Sequence, residues 1–411
     1  MESRNFVADL YSARHMDEVL APYLRHEKDL RRQFAEDKKY QVSNLINLFQ
    51  DKRARFDYRR INSPGQLQPE FILPLKEDLS NNPGAIVANE ELFMHQFNLF
   101  SNNCLSELNW GNVVVAGGAV TRCVLPVPTR YSNTELYYKE EIPESSDIDL
   151  FLYGLSKDAA REKIKEICQS IQKSVKNKFR ISTHKHFIEL ILPPGYRRVQ
   201  IILRLYSSIT HIITGFDVDC TCTAFDGQNI FASPRGLAAL VTKTNIIDIT
   251  RRSPSYEIRL WKYSGKFQIL YSGLDRSLVD QKKIQPGKKV LYGLALLLAC
   301  ELHAPPPPIF CDWMVAMQKN MAWYDRRDDD NAVDVSMTIL GPNLDKICES
   351  VAFIEDDPGR QEIGSFHPLS GDDWASQAYF DKWHRIWRRF TAVMFRKKPQ
   401  TFVNKKTQPK Y

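Results

Sequence analysis

Ser145-Ser146-Asp147-Ile148-Asp149-Leu150-Phe151-Leu152-Tyr153-Gly154 alternates acidic or aromatic residues with aliphatic ones. Alternate side chains of a strand share a face. The stretch therefore predicts a strand over 147–153, with Asp147, Asp149 and Phe151 on one side and Ile148, Leu150 and Leu152 turned into a core. Taken alone, an Asp-Ile-Asp is more often a solvated strand end than a site. Its neighbours change that reading.

Upstream, Asn112–Ala116 is an apolar run that predicts a buried strand feeding a turn at Gly117-Gly118. Paired glycines let backbone approach a phosphate, and a following helix start favours anions. Neither Gly-x-Gly-x-x-Gly nor a P-loop with its Lys-Ser/Thr is present, so dinucleotide and ATPase fingerprints are excluded. Downstream, Phe216–Phe225 carries a second acidic pair, Asp217 and Asp219, and is predicted as a strand closed by the Asp226-Gly227 turn. The same alternation would place Cys220 and Cys222 together on the buried face as small hydrophobes. Two such strands side by side would gather Asp147, Asp149, Asp217 and Asp219 on one surface as metal ligands. Crowded carboxylates repel unless a cation compensates, and hard oxygen donors suit Mg²⁺ (or Mn²⁺) shared with substrate phosphates.

At these residues the chain resembles the DNA polymerase beta-like nucleotidyltransferase superfamily, nearest to the head and neck of CCA-adding enzymes and poly(A) polymerases. The stretches that carry the resemblance are Gly117-Gly118-Ala119-Val120-Thr121-Arg122, Asp147-Ile148-Asp149-Leu150, Phe216-Asp217-Val218-Asp219-Cys220-Thr221 and Arg251-Arg252-Ser253-Pro254-Ser255-Tyr256-Glu257-Ile258-Arg259. It spans residues 111–265 at most. It implies an α+β fold with a mixed-sheet nucleotidyltransferase core between helical N-terminal and C-terminal regions. The implied catalytic residues are Asp147 and Asp149 with a third carboxylate, Asp217 or Asp219, of which Asp219 is favoured. The chain departs from the family in the long Gly118–Asp147 gap, in Thr121-Arg122 where the family has Arg-Asp, and in Gln200 on a strand that often supplies the third acid.

Gly117, Gly118, Arg122, Arg251, Arg252, Tyr256 and Arg259 are the expected nucleotide-binding residues. On a helix over 256–263, Tyr256, Arg259 and Tyr263 fall on one side, suited to phosphate contact and base stacking. Arg197, Arg198, Arg204, Lys243 and Lys262 add positive charge nearby, while His184 and His186 read as loop histidines.

The rest of the chain sets the frame. A length of 411 residues allows two or three domains, and 43% hydrophobic content fits an ordered protein. A net charge of +7 leans toward polyanions such as nucleotides or RNA. Eight scattered cysteines, no leader-like start and no apolar run long enough for a bilayer predict an intracellular protein, cytoplasmic or nuclear, without membrane partners. The expected divisions are a helical arm and linker (1–88), a catalytic domain (89–233), a helical neck (234–304), a Trp-rich helical region (305–395) and a basic tail (396–411). Residues 1–60 read as a solvated, charged helical hairpin. The expected activity is Mg²⁺-dependent transfer of a nucleoside monophosphate from an NTP to a hydroxyl, with an RNA 3′ end the favoured acceptor. The alternative is an inactive member of that fold that binds nucleotide or RNA. Third comes an interaction protein using the Trp-rich half.

Overall fold

A computed structural model of the chain describes residues 3–12, 16–37, 39–40, 42–50, 56–59, 70–73, 75, 84–143, 146–285, 291–302, 337–338, 342–354, 361–365 and 369–380. Most of the Trp-rich region, including the acidic run at 328–330, and the basic tail lie outside these residues.

The alternating stretch forms the strand its pattern predicts. Strand β4 (Ile148–Tyr153) follows β1 (Ile46–Asn47), β2 (Phe71–Ile72) and β3 (Val113–Ala116). Ile148, Leu150 and Leu152 are fully buried on one face, and Asp149 and Phe151 take the other. β3 pairs with β4 antiparallel, and β7 (Val199–Tyr206) pairs with it in parallel. With β5 (Arg180–Thr183), β6 (Phe187–Ile191), β8 (Thr223–Phe225), β9 (Ile230–Ala232) and β12 (Met337–Thr338), they make one nine-stranded mixed sheet in the order β1-β9-β8-β3-β4-β7-β6-β5-β12. The class is α+β, as expected.

A parallel pair needs a long crossover. Here it supplies helix α6 (Lys157–Val175) and the β5–β6 hairpin. Ser156 caps α6 by accepting from the Ala159 N–H, and Ile164, Ile167, Ile171 and Val175 form its buried stripe, as their spacing predicts. β6 and β7 form an antiparallel hairpin across Pro193-Pro194-Gly195, with Gly195 at φ 90°.

Several expectations are corrected. The 216–225 stretch is a strand only at its end, β8; before it the chain makes a 3₁₀ turn over Asp219–Thr221. Cys220 and Cys222 are buried but join separate apolar clusters, not one shared face. The N-terminal helices α1 (Ser3–Leu10) and α2 (Met16–Glu36) are not a solvated arm, because Phe6, Leu10, Val19, Leu20, Leu30 and Phe34 are buried. Helix α3 (Glu90–Ser101) is shorter than its apolar pattern suggests. Asn102 and Asn103 adopt positive φ and end it, and Leu92 is exposed.

Helices α8 (Pro234–Thr242) and α9 (Tyr256–Tyr263) fall where the sequence places them. Between and after them, β10 (Thr244–Ile246) and β11 (Gln268–Leu270) make a small sheet with β2. The segment 369–380 packs behind α9. Its Trp374 is 1% exposed, and the Arg252 guanidinium lies 5.5 Å from that ring.

Candidate functional site

The site is built where β3 ends. Ala116 leads into Gly117, whose φ of 88° and ψ of −143° no L side chain adopts comfortably. Gly118 then opens the short helix α4 (Gly118–Val124). A Cβ on Gly118 would collide with the Tyr263 hydroxyl, so any side chain there displaces that phenol.

Beside this turn lies a cleft of about 250 Å³, lined by Gly117, Gly118, Arg122, Asp147, Asp149, Asp217, Arg259, Lys262 and Tyr263. One wall is acidic. Asp147 lies just before β4 and Asp149 within it, as strand parity predicts. Burial, with Asp147 beside it, pushes the Asp149 carboxyl up to about 8, although Lys262 and Arg259 pull the other way. The opposite wall is basic and comes from α9. Arg259 makes an ion pair of 2.5 Å with Asp217 and donates to Ser253 Oγ at 2.8 Å. Ser253 Oγ in turn donates to Asp217 at 3.3 Å. Tyr263 is deeply buried, and burial pushes its phenol upward.

Of the second acidic pair, only Asp217 reaches the cleft. The chain turns at Val218, with the Thr221 N–H donating to the Val218 carbonyl and the Cys222 N–H to that of Asp219. The turn sends the Asp219 side chain inward. One oxygen accepts from Arg235 Nη1 at 2.8 Å and the other from the Ile246 N–H at 2.8 Å. The expectation that favoured Asp219 therefore meets a saturated, buried carboxylate. Among the described residues, no three His, Cys, Asp or Glu side chains cluster tightly enough to hold a metal alone.

The expected nucleotide-binding residues divide. Gly117, Gly118, Arg122 and Arg259 line the cleft. Arg251, Arg252 and Tyr256 do not. Arg251 is buried against Glu27 and Asp248. Arg252 is held by Glu257 at 2.7 Å and Asp373 at 2.5 Å. Tyr256 is fully buried, and its hydroxyl accepts from the Asp248 N–H. Of the other basic residues, Arg198 pairs with Glu189, Arg204 donates to the Gly364 carbonyl and Lys243 to that of Ala85. Arg197 supports the rim by donating to the Phe100 and Pro143 carbonyls. His184 lies 3.8 Å from Glu189, away from the cleft.

Sequence reasoning missed two features. Phe216 lines the cleft next to Asp217, with its ring 5.6 Å from that of Phe151 and within contact of Gly117. Glu27, on the helix read as solvated, is buried beneath the Asp217–Asp219 turn. The only signal for Phe216 is an aromatic directly before an acid, and for Glu27 an acid four residues after Tyr23 on the buried stripe.

Comparison with known proteins places the acidic wall in a recognised region. A family described as Gabija anti-defense 2 (Gad2) family protein matches residues 90–243. The uncharacterized protein R883 of Acanthamoeba polyphaga mimivirus is 28% identical over 224 residues, covering 51% of this chain and 46% of the relative. The chain thus matches about half the length of that curated relative. No helix of the described residues is long and apolar enough to cross a membrane.

Proposed function

We propose that the chain is a nucleotidyltransferase with a polymerase beta-like core, moving a nucleoside monophosphate from an NTP to a hydroxyl. One observation carries the reading: Asp147, Asp149 and Asp217 line the same small cleft as the Gly117-Gly118 turn and the basic side chains Arg122, Arg259 and Lys262. The donor set fits Mg²⁺, which takes one or two carboxylates and completes its shell with waters and phosphates. Asp147 and Asp149 would hold it, and bound there it would supply charge neutralisation for the attacking and leaving oxygens.

The remaining work falls to the chain itself. Gly117 and Gly118 leave room for a phosphate against backbone. Lys262 and Arg122 face it with positive charge, and Arg259 can exchange its Asp217 partner for phosphate oxygens, which suit a guanidinium fork. Asp217, freed in that exchange, is the third carboxylate. The acceptor follows from neither wall. An RNA 3′ end remains the favoured class, and the name of the Gad2 family adds the components of the Gabija defence as acceptors to try.

The test incubates the full chain with labelled NTPs, Mg²⁺ and mixed RNA, and follows label into acceptor and pyrophosphate release. Transfer lost in the Asp147→Ala, Asp149→Ala double variant supports the assignment. Transfer that survives it overturns the assignment. The second reading, a nucleotide-binding scaffold, is favoured by Gln200, which lies in register beside Asp149 where an acid would be expected. Metal-dependent thermal stabilisation by NTP without product would select it.

A further inference from the structure

Beneath the cleft lies a group of charged side chains that the reaction does not touch. Glu27 of α2 is 1% exposed, Arg235 of α8 is 2% exposed and Arg251 is 6% exposed. A single carboxylate oxygen, Glu27 Oε1, accepts from Arg235 Nε at 2.7 Å and from Arg251 Nη2 at 2.8 Å. Each arginine then reaches the same backbone atom. Arg235 Nη2 donates to the Phe216 carbonyl at 2.6 Å, and Arg251 Nη1 donates to it at 3.2 Å. Arg251 Nη1 also donates to the Thr214 carbonyl at 2.9 Å.

We propose that Glu27 is a positioning residue for Asp217, acting through Arg235 and Arg251 on the Phe216 carbonyl. The inference rests on the nucleotidyltransferase reading for its kinetic consequence but not for its geometry. Phe216 is the residue directly before Asp217, and its ring is packed against Phe151 of the strand that carries Asp149. Fixing the Phe216 peptide fixes where Asp217 leaves the backbone. Two guanidiniums aimed at one carbonyl would repel each other without an anion between them. Glu27 is that anion, and Asp219 on Arg235 and Asp248 on Arg251 complete the balance. Isolated buried charges are costly, so the set holds together or fails together. The N-terminal helix thus becomes part of the cleft's support without touching what binds there.

The experiment compares the full-length wild type with Glu27→Gln, Arg251→Lys and Leu30→Ala. Arg251→Lys keeps a cation beside Glu27 but gives up the fork that reaches Glu27, Asp248 and the Phe216 carbonyl together, and it serves if Glu27→Gln does not fold. Leu30→Ala loosens the same helix against Phe34 and Ile363 without removing a charged partner of Arg235 or Arg251. Hydrogen exchange of the peptide covering 214–219 should accelerate in the first two variants and stay at the wild-type rate in Leu30→Ala. Nucleotidyl transfer should lose about tenfold to a hundredfold in kcat in the first two, as displaced reacting groups do, with KM for NTP nearly unchanged. Wild-type exchange in both clamp variants, or equal effects from Leu30→Ala, overturns the proposal. A wild-type protein that transfers no nucleotide removes the activity reading, and the exchange comparison then decides the clamp by itself.

Discussion

Arg259 and Asp217 face each other across the cleft at 2.5 Å, so the third carboxylate is paired with a cation from the opposite wall. Arg259 is 41% exposed at its side chain but Asp217 only 5%, so removing the arginine leaves a buried carboxylate with Ser253 as its remaining partner. Arg259→Ala should lower Tm by roughly 2–6 °C, the cost of a buried carboxylate that loses its cation. On the proposed reading, it should raise KM for NTP roughly tenfold, the loss of one charge-assisted contact. Thermal denaturation and steady-state kinetics on one preparation check both halves.

Asp217 and Asp219 separate by what their removal costs. Asp219→Asn leaves Arg235 short of a charged partner in the interior and should destabilise by about 3 kcal/mol, typical of a broken buried pair. Asp217→Asn should fold almost as the wild type does and lose transfer by at least about a hundredfold. Urea unfolding together with a transfer assay distinguishes the two. A stable, inactive Asp219→Asn would return the third-ligand role to Asp219.

Gly118 and Tyr263 should be energetically linked. Gly118→Ala drives a methyl into the Tyr263 hydroxyl and should cost about 1–3 kcal/mol, the range of overpacked sites. Tyr263→Phe removes the obstructing oxygen, and the double variant should recover most of that loss. A double-mutant cycle in chemical denaturation reads the coupling; strict additivity would place the strain elsewhere.

Glu27 supplies a pH dependence. Burial alone would raise its carboxyl, but Arg235 and Arg251 more than offset this and hold it below its ordinary value of 4.5. The unfolded chain then binds the proton more readily than the folded one. The stabilisation is complete above pH 4.5 and is lost as pH falls through the lower folded value. Stability measured between about pH 5 and pH 3 should fall more steeply in the wild type than in Glu27→Gln.

The comparison of sequence with structure turns on two Asp-x-Asp pairs of the same spacing, Asp-Ile-Asp at 147–149 and Asp-Val-Asp at 217–219. At 147–149 the alternation is a true strand signal, because aliphatic residues at 148, 150 and 152 all find the core. At 217–219 the same alternation is produced by a turn. What decides between them is Arg235, sixteen positions along, which draws Asp219 inward. No local pattern contains that partner. Helix α9 shows the same limit. Its spacing correctly puts Arg259 and Tyr263 together at the cleft, but the side chain of Tyr256 is taken into the core. The helices α6 and α8 were legible because caps and stripes are local features. The role of α2 was not, because its charged residues look solvated until Arg235 and Arg251 are seen to meet Glu27.

The two walls of the cleft carry opposite charge, Asp147 and Asp149 on one and Arg259 and Lys262 on the other. Such a slot has a built-in polarity. A ligand with an anionic chain at one end would be drawn in with that chain toward α9 and any cation it carries toward β4. On the proposed reading, the direction of approach would then be set by charge before any base or acceptor is read.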